Sequence, residues 1–349
     1  MRSRGLSILI VLSSFGMAEA KPTDYKLATT RTSVLGDHLS LTLGAGMKIE
    51  PRGHSIMAAD ASNEDETRGV LDNGTMRLVM MAYELYAKPT ADFKAAVAAD
   101  LKAQGEPLAS AKLEAIKLPA PLSGFAVTPV PSGKDEANLI YMVYVASGDH
   151  SVQLLSFYVN PDGISDLAGF MALVRQIAAS AIAGKRQLAF AAKDHEFRGA
   201  GTDKLVVSAP DGFVSTTQDG PDFSVNRLRE VGDLGSTARS CGVYLGGHPS
   251  YQHKQAGIPE AKVKNVAGKL LGTAATWHSW GDGSRFTIEA MVPHPLQTSL
   301  VVHTFCTATT EAALDSLRKI AETLRFKRER MQRDRTRLAL VLLSVILTP

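Results

Sequence analysis

The feature that most constrains this chain is repetition: one order of strands, turns and helix occurs twice. In the second half, Thr276-Trp277-His278-Ser279-Trp280 runs into the turn Gly281-Asp282-Gly283-Ser284, Arg285–Pro293 alternates again, and Ser299–Cys306 supplies another strand. A helix follows, with Leu314, Leu317, Ile320 and Leu324 on one face. In the first half, Gly124–Val130, Leu139–Ser147, the turn Gly148-Asp149, Ser151–Asn160 and a helix through Leu167, Phe170, Met171, Val174 and Ile177 repeat that order. Leu39-Ser40-Leu41 lines up with Leu205-Val206-Val207 at an offset of 166, and Ala111-Lys112-Leu113 with Ala261-Lys262-Val263 at an offset of 150. The drop falls where the first half has a helix, capped by Thr90, with Phe93, Val97 and Leu101 at helical spacing and Gly105 beyond its end. The second half has only the link Gln252–Pro259, so its copy of that helix is lost or reduced to a turn.

A chain of 349 residues suits two domains. Hairpin signals at Asp72-Asn73-Gly74, Gly148-Asp149 and Gly281-Asp282-Gly283 require antiparallel neighbours. The expected fold is therefore α+β, two tandem antiparallel sheets each flanked by helices. The expected division is a first domain over 21–184, a linker over 185–203, a shortened second domain over 204–326 and a tail over 327–349. The order strand, strand, helix, strand, three-strand meander, C-terminal helix resembles the PsbP-like fold, which exported DcrB-like proteins share. Ala209-Pro210-Asp211-Gly212-Phe213 is similar to the opening of such domains. The resemblance implies a binding or assembly accessory without a shared catalytic site, and it transfers no functional residues.

Both ends suggest an address. Arg2 and Arg4, the apolar run Leu6–Met17 and Ala18-Glu19-Ala20 form a signal-peptide pattern over 1–20, so a periplasmic or otherwise exported protein is expected. At the other end, six bases in Lys327–Arg337 precede the apolar run Leu338–Leu347. Arg330, Arg333, Arg335 and Arg337 with Leu340 and Leu343 suit peripheral contact with an anionic membrane. Docking on a partner, or on the protein's own body, are the other readings of this tail. The two ends carry +1 and +4 of a formal +3, which leaves the body about −2 and gives nucleic acid no basic surface to bind.

The chemistry-bearing residues gather in the second half. Cys241 and Cys306 are the only thiols, and in an exported chain they are expected to pair. His248, Tyr251, His278 and Trp280 are the candidates for a ligand groove, with Trp277 and Trp280 on opposite faces of their strand. His303 shares a face with Val301 and Phe305 and reads as a satisfied sheet histidine. The histidines lack metal-ligand spacing, and Ser316-Leu317-Arg318-Lys319 matches S-x-x-K without its companion motifs. No catalytic residue, metal ligand or cofactor is assigned. The sequence therefore suggests an exported, non-enzymatic binding or assembly accessory at the cell envelope, whose partner is a protein or a small ligand. The alternative is a hydrolase or metal-dependent enzyme centred on His248, His278 and Trp280.

Overall fold

The computed structural model describes residues 25–50, 60–61, 66–72, 76–132, 138–147, 151–162, 164–198, 204–219, 223–234, 239–295 and 297–327. The signal-peptide pattern and the tail beyond Lys327 lie outside them. The chain divides into two units, one of residues up to Ala191 with Asp211–Ser240, the other of Ala192–Pro210 with Cys241 onward. The units interleave in sequence, so the segment that opens the second repeat is shared between them. Elements are numbered along the whole chain.

The first unit contains β1 (Leu27–Val34), β2 (Leu39–Gly44), β3 (Lys48–Ile49), β4 (Asp60–Ala61), β5 (Glu66–Asp72), β6 (Met76–Glu84) and β7 (Ala87–Lys88). Next come α1 (Phe93–Gln104), β8 (Leu113–Ile116), β9 (Ser123–Ser132), β10 (Asn138–Ala146), β11 (Val152–Val159), α2 (Leu167–Ala179) and β12 (Ile182–Ala183). β15 (Phe213–Asp219), β16 (Phe223–Glu230) and β17 (Gly232–Asp233) complete it. Its main sheet has the order β3-β5-β6-β11-β10-β9-β8, and β1-β2-β12 forms a smaller one. α2 buries Phe170, Leu173, Val174 and Ile177 in one core with Leu39, Leu41 and Leu43 of β2 and Leu155 and Phe157 of β11. α1 covers the other face, where Val97 and Leu101 meet Val127, Met142 and Tyr144. Asp92 caps α1 by accepting from the Ala95 N–H at 2.9 Å, two residues after the expected Thr90.

The second unit contains β13 (Lys193–Arg198), β14 (Lys204–Ala209), β18 (Ser240–Gly246), α3 (Gln252–Gln255), β19 (Lys264–Leu270) and β20 (Thr273–Gly281). β21 (Phe286–Pro293), β22 (Val301–Ala308), α4 (Glu311–Ala321) and β23 (Arg325–Phe326) close it. Five strands run in the order β18-β22-β21-β20-β19, and β13-β14-β23 forms a small sheet. This matches β6-β11-β10-β9-β8 and β1-β2-β12 of the first unit strand for strand, so the tandem β-sheet layout is plain in the structure. α3 is the reduced counterpart of α1, a single turn of four residues.

The expected helix-flanked α+β class is not what forms. The described residues hold twenty-three strands against four α-helices, in five mostly antiparallel sheets, so the protein is mainly β. The physical reason is visible in the strands that have no continuous apolar run. β1 (LATTRTSV), β13 (KDHEFR) and β16 (FSVNRLRE) are mostly polar or charged and read locally as loop. Pairing with neighbours, not their own composition, makes them strands.

Candidate functional site

The disulfide is present: Cys241 and Cys306 join the neighbouring strands β18 and β22, with an S–S distance of 2.08 Å. Strand alternation then sorts their sheet into two faces. Trp277, Ile288, Ala290, Val302 and Cys306 are buried on one face, the side from which α4 presents Leu314 and Leu317. The register sets His278 opposite Glu289, Trp280 opposite Thr287 and Phe305 opposite Glu289, all on the other face. An acid in the middle of Phe286-Thr-Ile-Glu-Ala-Met-Val-Pro293 is unusual in a central strand, and its side chain is 0% exposed.

Glu289 is held by four donors. Its Oε1 accepts from the His253 backbone N–H at 3.0 Å and pairs with His253 Nδ1 at 2.7 Å. Its Oε2 accepts from the Gln252 N–H at 2.8 Å and pairs with His303 Nε2 at 2.7 Å. The chain folds locally this way because α3 lacks a side-chain cap of its own: Tyr251 occupies the cap position and makes no capping bond. A carboxylate from another strand satisfies the open N–H groups instead. Burial by itself pushes the Glu289 carboxyl up. The bonds from the His303 ring, the two backbone N–H groups and the His253 ring outweigh it and hold the pKa at about 2.

Around this anion stands a group of rings. Tyr251 meets His278 edge-on, with centroids 4.9 Å apart, and lies 5.3 Å from His253. His253 lies 5.1 Å from His278 and 5.7 Å from Trp280. His278 Nδ1 bonds Asn265 Oδ1 on β19 at 2.8 Å. Burial, then the neighbouring His253, lowers the His278 pKa, so the ring is neutral at pH 7. Burial and the Glu289 charge raise that of Tyr251, which stays a phenol.

The structure thus brings Tyr251, His278 and Trp280 together and leaves His248 exposed, with no part in the group. His303 is the buried, satisfied sheet histidine expected, and Trp277 is sealed while Trp280 is half-buried. Sequence reasoning missed Glu289 and the placement of His253. The signal was there: a charged residue at the centre of an apolar alternation, on a strand flanked by two others that carry a histidine each, His278 and His303.

A second buried polar group sits in the first unit. His38 Nδ1 lies 2.5 Å from Glu84 Oε2, and its Nε2 lies 3.2 Å from Ser151 Oγ. The order serine, histidine, carboxylate is that of a nucleophile and its relay. Here it is sealed: Ser151 is 0% exposed, and its hydroxyl is already engaged by Ser147 Oγ at 2.6 Å and Gln153 Nε2 at 2.8 Å. It serves as a buried polar core, in which Gln153 Oε1 is the atom left without a partner among the described residues. A cavity of about 260 Å³ in the same unit lies elsewhere, lined by residues that include Glu114, Lys117, Tyr141 and Arg175. Among the described residues, no group of three or more His, Cys, Asp or Glu is placed to hold a metal ion, and no helix is long and apolar enough to cross a membrane. Comparison with protein-family models, curated proteins and solved structures gives no match.

Proposed function

We propose that this is an exported, non-enzymatic binding protein of the cell envelope, and that its recognition surface is the ring-lined face of the second unit. The observation that carries the reading is the state of Glu289. All four of its hydrogen bonds are made inside the protein and its pKa is held at about 2, so at pH 7 it does not exchange protons with a substrate. It organises His253, α3 and His303 while Tyr251, His278 and Trp280 remain half-buried above the sheet. Rigid, amphipathic rings fixed from beneath are what a binding surface needs. The sealing of Ser151 favours the same side of the enzyme question. The resemblance to PsbP-like accessories points the same way. So do the signal-peptide pattern and the basic, apolar tail, which would bring the body to an anionic membrane surface.

Native mass spectrometry of the chain purified from its own envelope fraction tests the reading. The wild type should carry an additional bound mass that the Tyr251→Ala/Trp280→Ala variant loses. Equal mass on both, or none on either, would remove the ring face from consideration. Flotation with anionic liposomes tests the envelope placement: the full chain should float and a chain truncated after Phe326 should not.

A further inference from the structure

We infer that the ring face holds a borderline divalent transition-metal ion, Cu²⁺ most tightly and Zn²⁺ next, between the Nε2 atoms of His253 and His278. The inference rests on the proposed binding role of this face and names its ligand class.

Three observations carry it. First, each imidazole has its Nδ1 committed: His253 to Glu289 Oε1 at 2.7 Å and His278 to Asn265 Oδ1 at 2.8 Å. An Nδ1–H that donates to a fixed oxygen leaves the lone pair on Nε2, the tautomer a metal requires, and ligating histidines are oriented in this way. Among the described residues neither Nε2 takes part in a hydrogen bond with the protein. Second, the spacing fits. A metal–nitrogen bond of about 2.0–2.1 Å puts the ion about 3.2 Å from each ring centre, so two imidazoles at a tetrahedral angle have centres about 5.2 Å apart; the observed separation is 5.1 Å. Third, anions back the pair: Glu289, which is bonded to His253, and Glu260 both act on His278 from the negative side, against Lys254 and, when protonated, His253 itself. Glu289, His253 and the ion would form a carboxylate–histidine–metal relay.

Two protein ligands leave the remaining positions to water or to a bound molecule. That agrees with the lack of a three-ligand group among the described residues, and it makes the ion exchangeable. A closed structural site would take four protein ligands. Imidazole selects borderline ions over Mg²⁺ and Ca²⁺, and Cu²⁺ over Zn²⁺.

The test is titration of the chelator-stripped full chain with CuCl₂ and, separately, ZnCl₂, read by calorimetry and by tryptophan emission. Trp280 lies 5.7 Å from His253, so bound Cu²⁺ quenches it. The expected result is one saturable site at micromolar free Cu²⁺, weaker for Zn²⁺ and absent for Mg²⁺. His278→Ala should weaken Cu²⁺ at least about tenfold. Asn265→Leu, which keeps both ligands and removes only the Nδ1 partner, should weaken it by about tenfold, the usual effect of losing an outer-shell partner. His248→Ala should leave it unchanged. The inference is overturned if no stoichiometric site saturates below about 100 µM free Cu²⁺, a limit far weaker than chelation by two imidazoles. Equal affinity of wild type, His278→Ala and Asn265→Leu would also overturn it. If the ion fails to bind while Tyr251→Ala/Trp280→Ala still loses its bound mass, only the ligand class falls and the binding face stands.

Discussion

Replacing Glu289 by Gln removes one charge and changes almost no volume, yet it should destabilise the second unit by about 3 kcal/mol at pH 7. Two routes lead to that figure. The carboxylate accepts four hydrogen bonds through two oxygens. An amide offers one oxygen and turns an NH₂ toward the other pair of donors, and each stranded buried donor costs about 1–3 kcal/mol. Expressed through titration, the same bonds lower the carboxyl from an ordinary 4.5 to about 2 on folding, a gap equivalent to about 3 kcal/mol. Because the folded pKa is the lower one, this stabilisation is complete above about pH 5 and is lost as the pH falls through 4.5 towards 2. The variant should therefore melt in less urea than the wild type at pH 7, and the difference should shrink as the pH drops to 2. Tryptophan emission is the assay, since both tryptophans, Trp277 and Trp280, lie in this unit. A difference below about 1 kcal/mol at pH 7, the size of an ordinary surface substitution, would refute the reasoning. So would a larger difference that stays constant from pH 7 to pH 2.

Two further outcomes follow from the same geometry. Reducing Cys241–Cys306, which closes a loop with a sequence separation of 65, should lower the urea stability of the second unit by about 2–4 kcal/mol. Unchanged melting in excess dithiothreitol would show that the sheet holds without it. A fluorophosphonate probe should leave Ser151 unlabelled in the native protein, because its hydroxyl is wholly buried and already bonded. Labelling that Ser151→Ala abolishes would restore the hydrolase reading, moved to the first unit.

Much of the fold was legible because hairpins and amphipathic helices announce themselves locally. The repeat, the antiparallel pairing, α2, α4 and the shrinkage of α1 to the single turn of α3 all follow from turn residues and apolar spacing within a few residues of each other. The class was misjudged because β1, β13 and β16 are rich in polar and charged residues, such as Thr29–Thr32 in β1 and Lys193, Asp194 and Glu196 in β13. Their strand character comes from partners distant in sequence, such as β14 for β13. Asp92 displaced Thr90 as the α1 cap: the Thr90 hydroxyl donates to the Asp92 carbonyl, and the Asp92 carboxylate accepts the helix N–H of Ala95. Tyr251, His278 and Trp280, which the structure brings together, were singled out from residue type and the alternation of β20. Glu289 was missed because its partners, Gln252 and His253 on one side and His303 on the other, are 37, 36 and 14 residues away. His248 drew notice through its Gly-rich neighbourhood, and that setting leaves it exposed.

The most direct test of the binding face uses its two tryptophans as separate reporters. In protein labelled with 5-fluorotryptophan, the ¹⁹F spectrum holds one resonance from sealed Trp277 and one from half-buried Trp280, assigned with Trp280→Phe. On addition of the small-molecule fraction of the cell envelope, the Trp280 resonance should shift or broaden while that of Trp277 stays in place. If neither resonance moves, or if both move together, the ring-lined face of the second unit is not where this protein recognises its ligand.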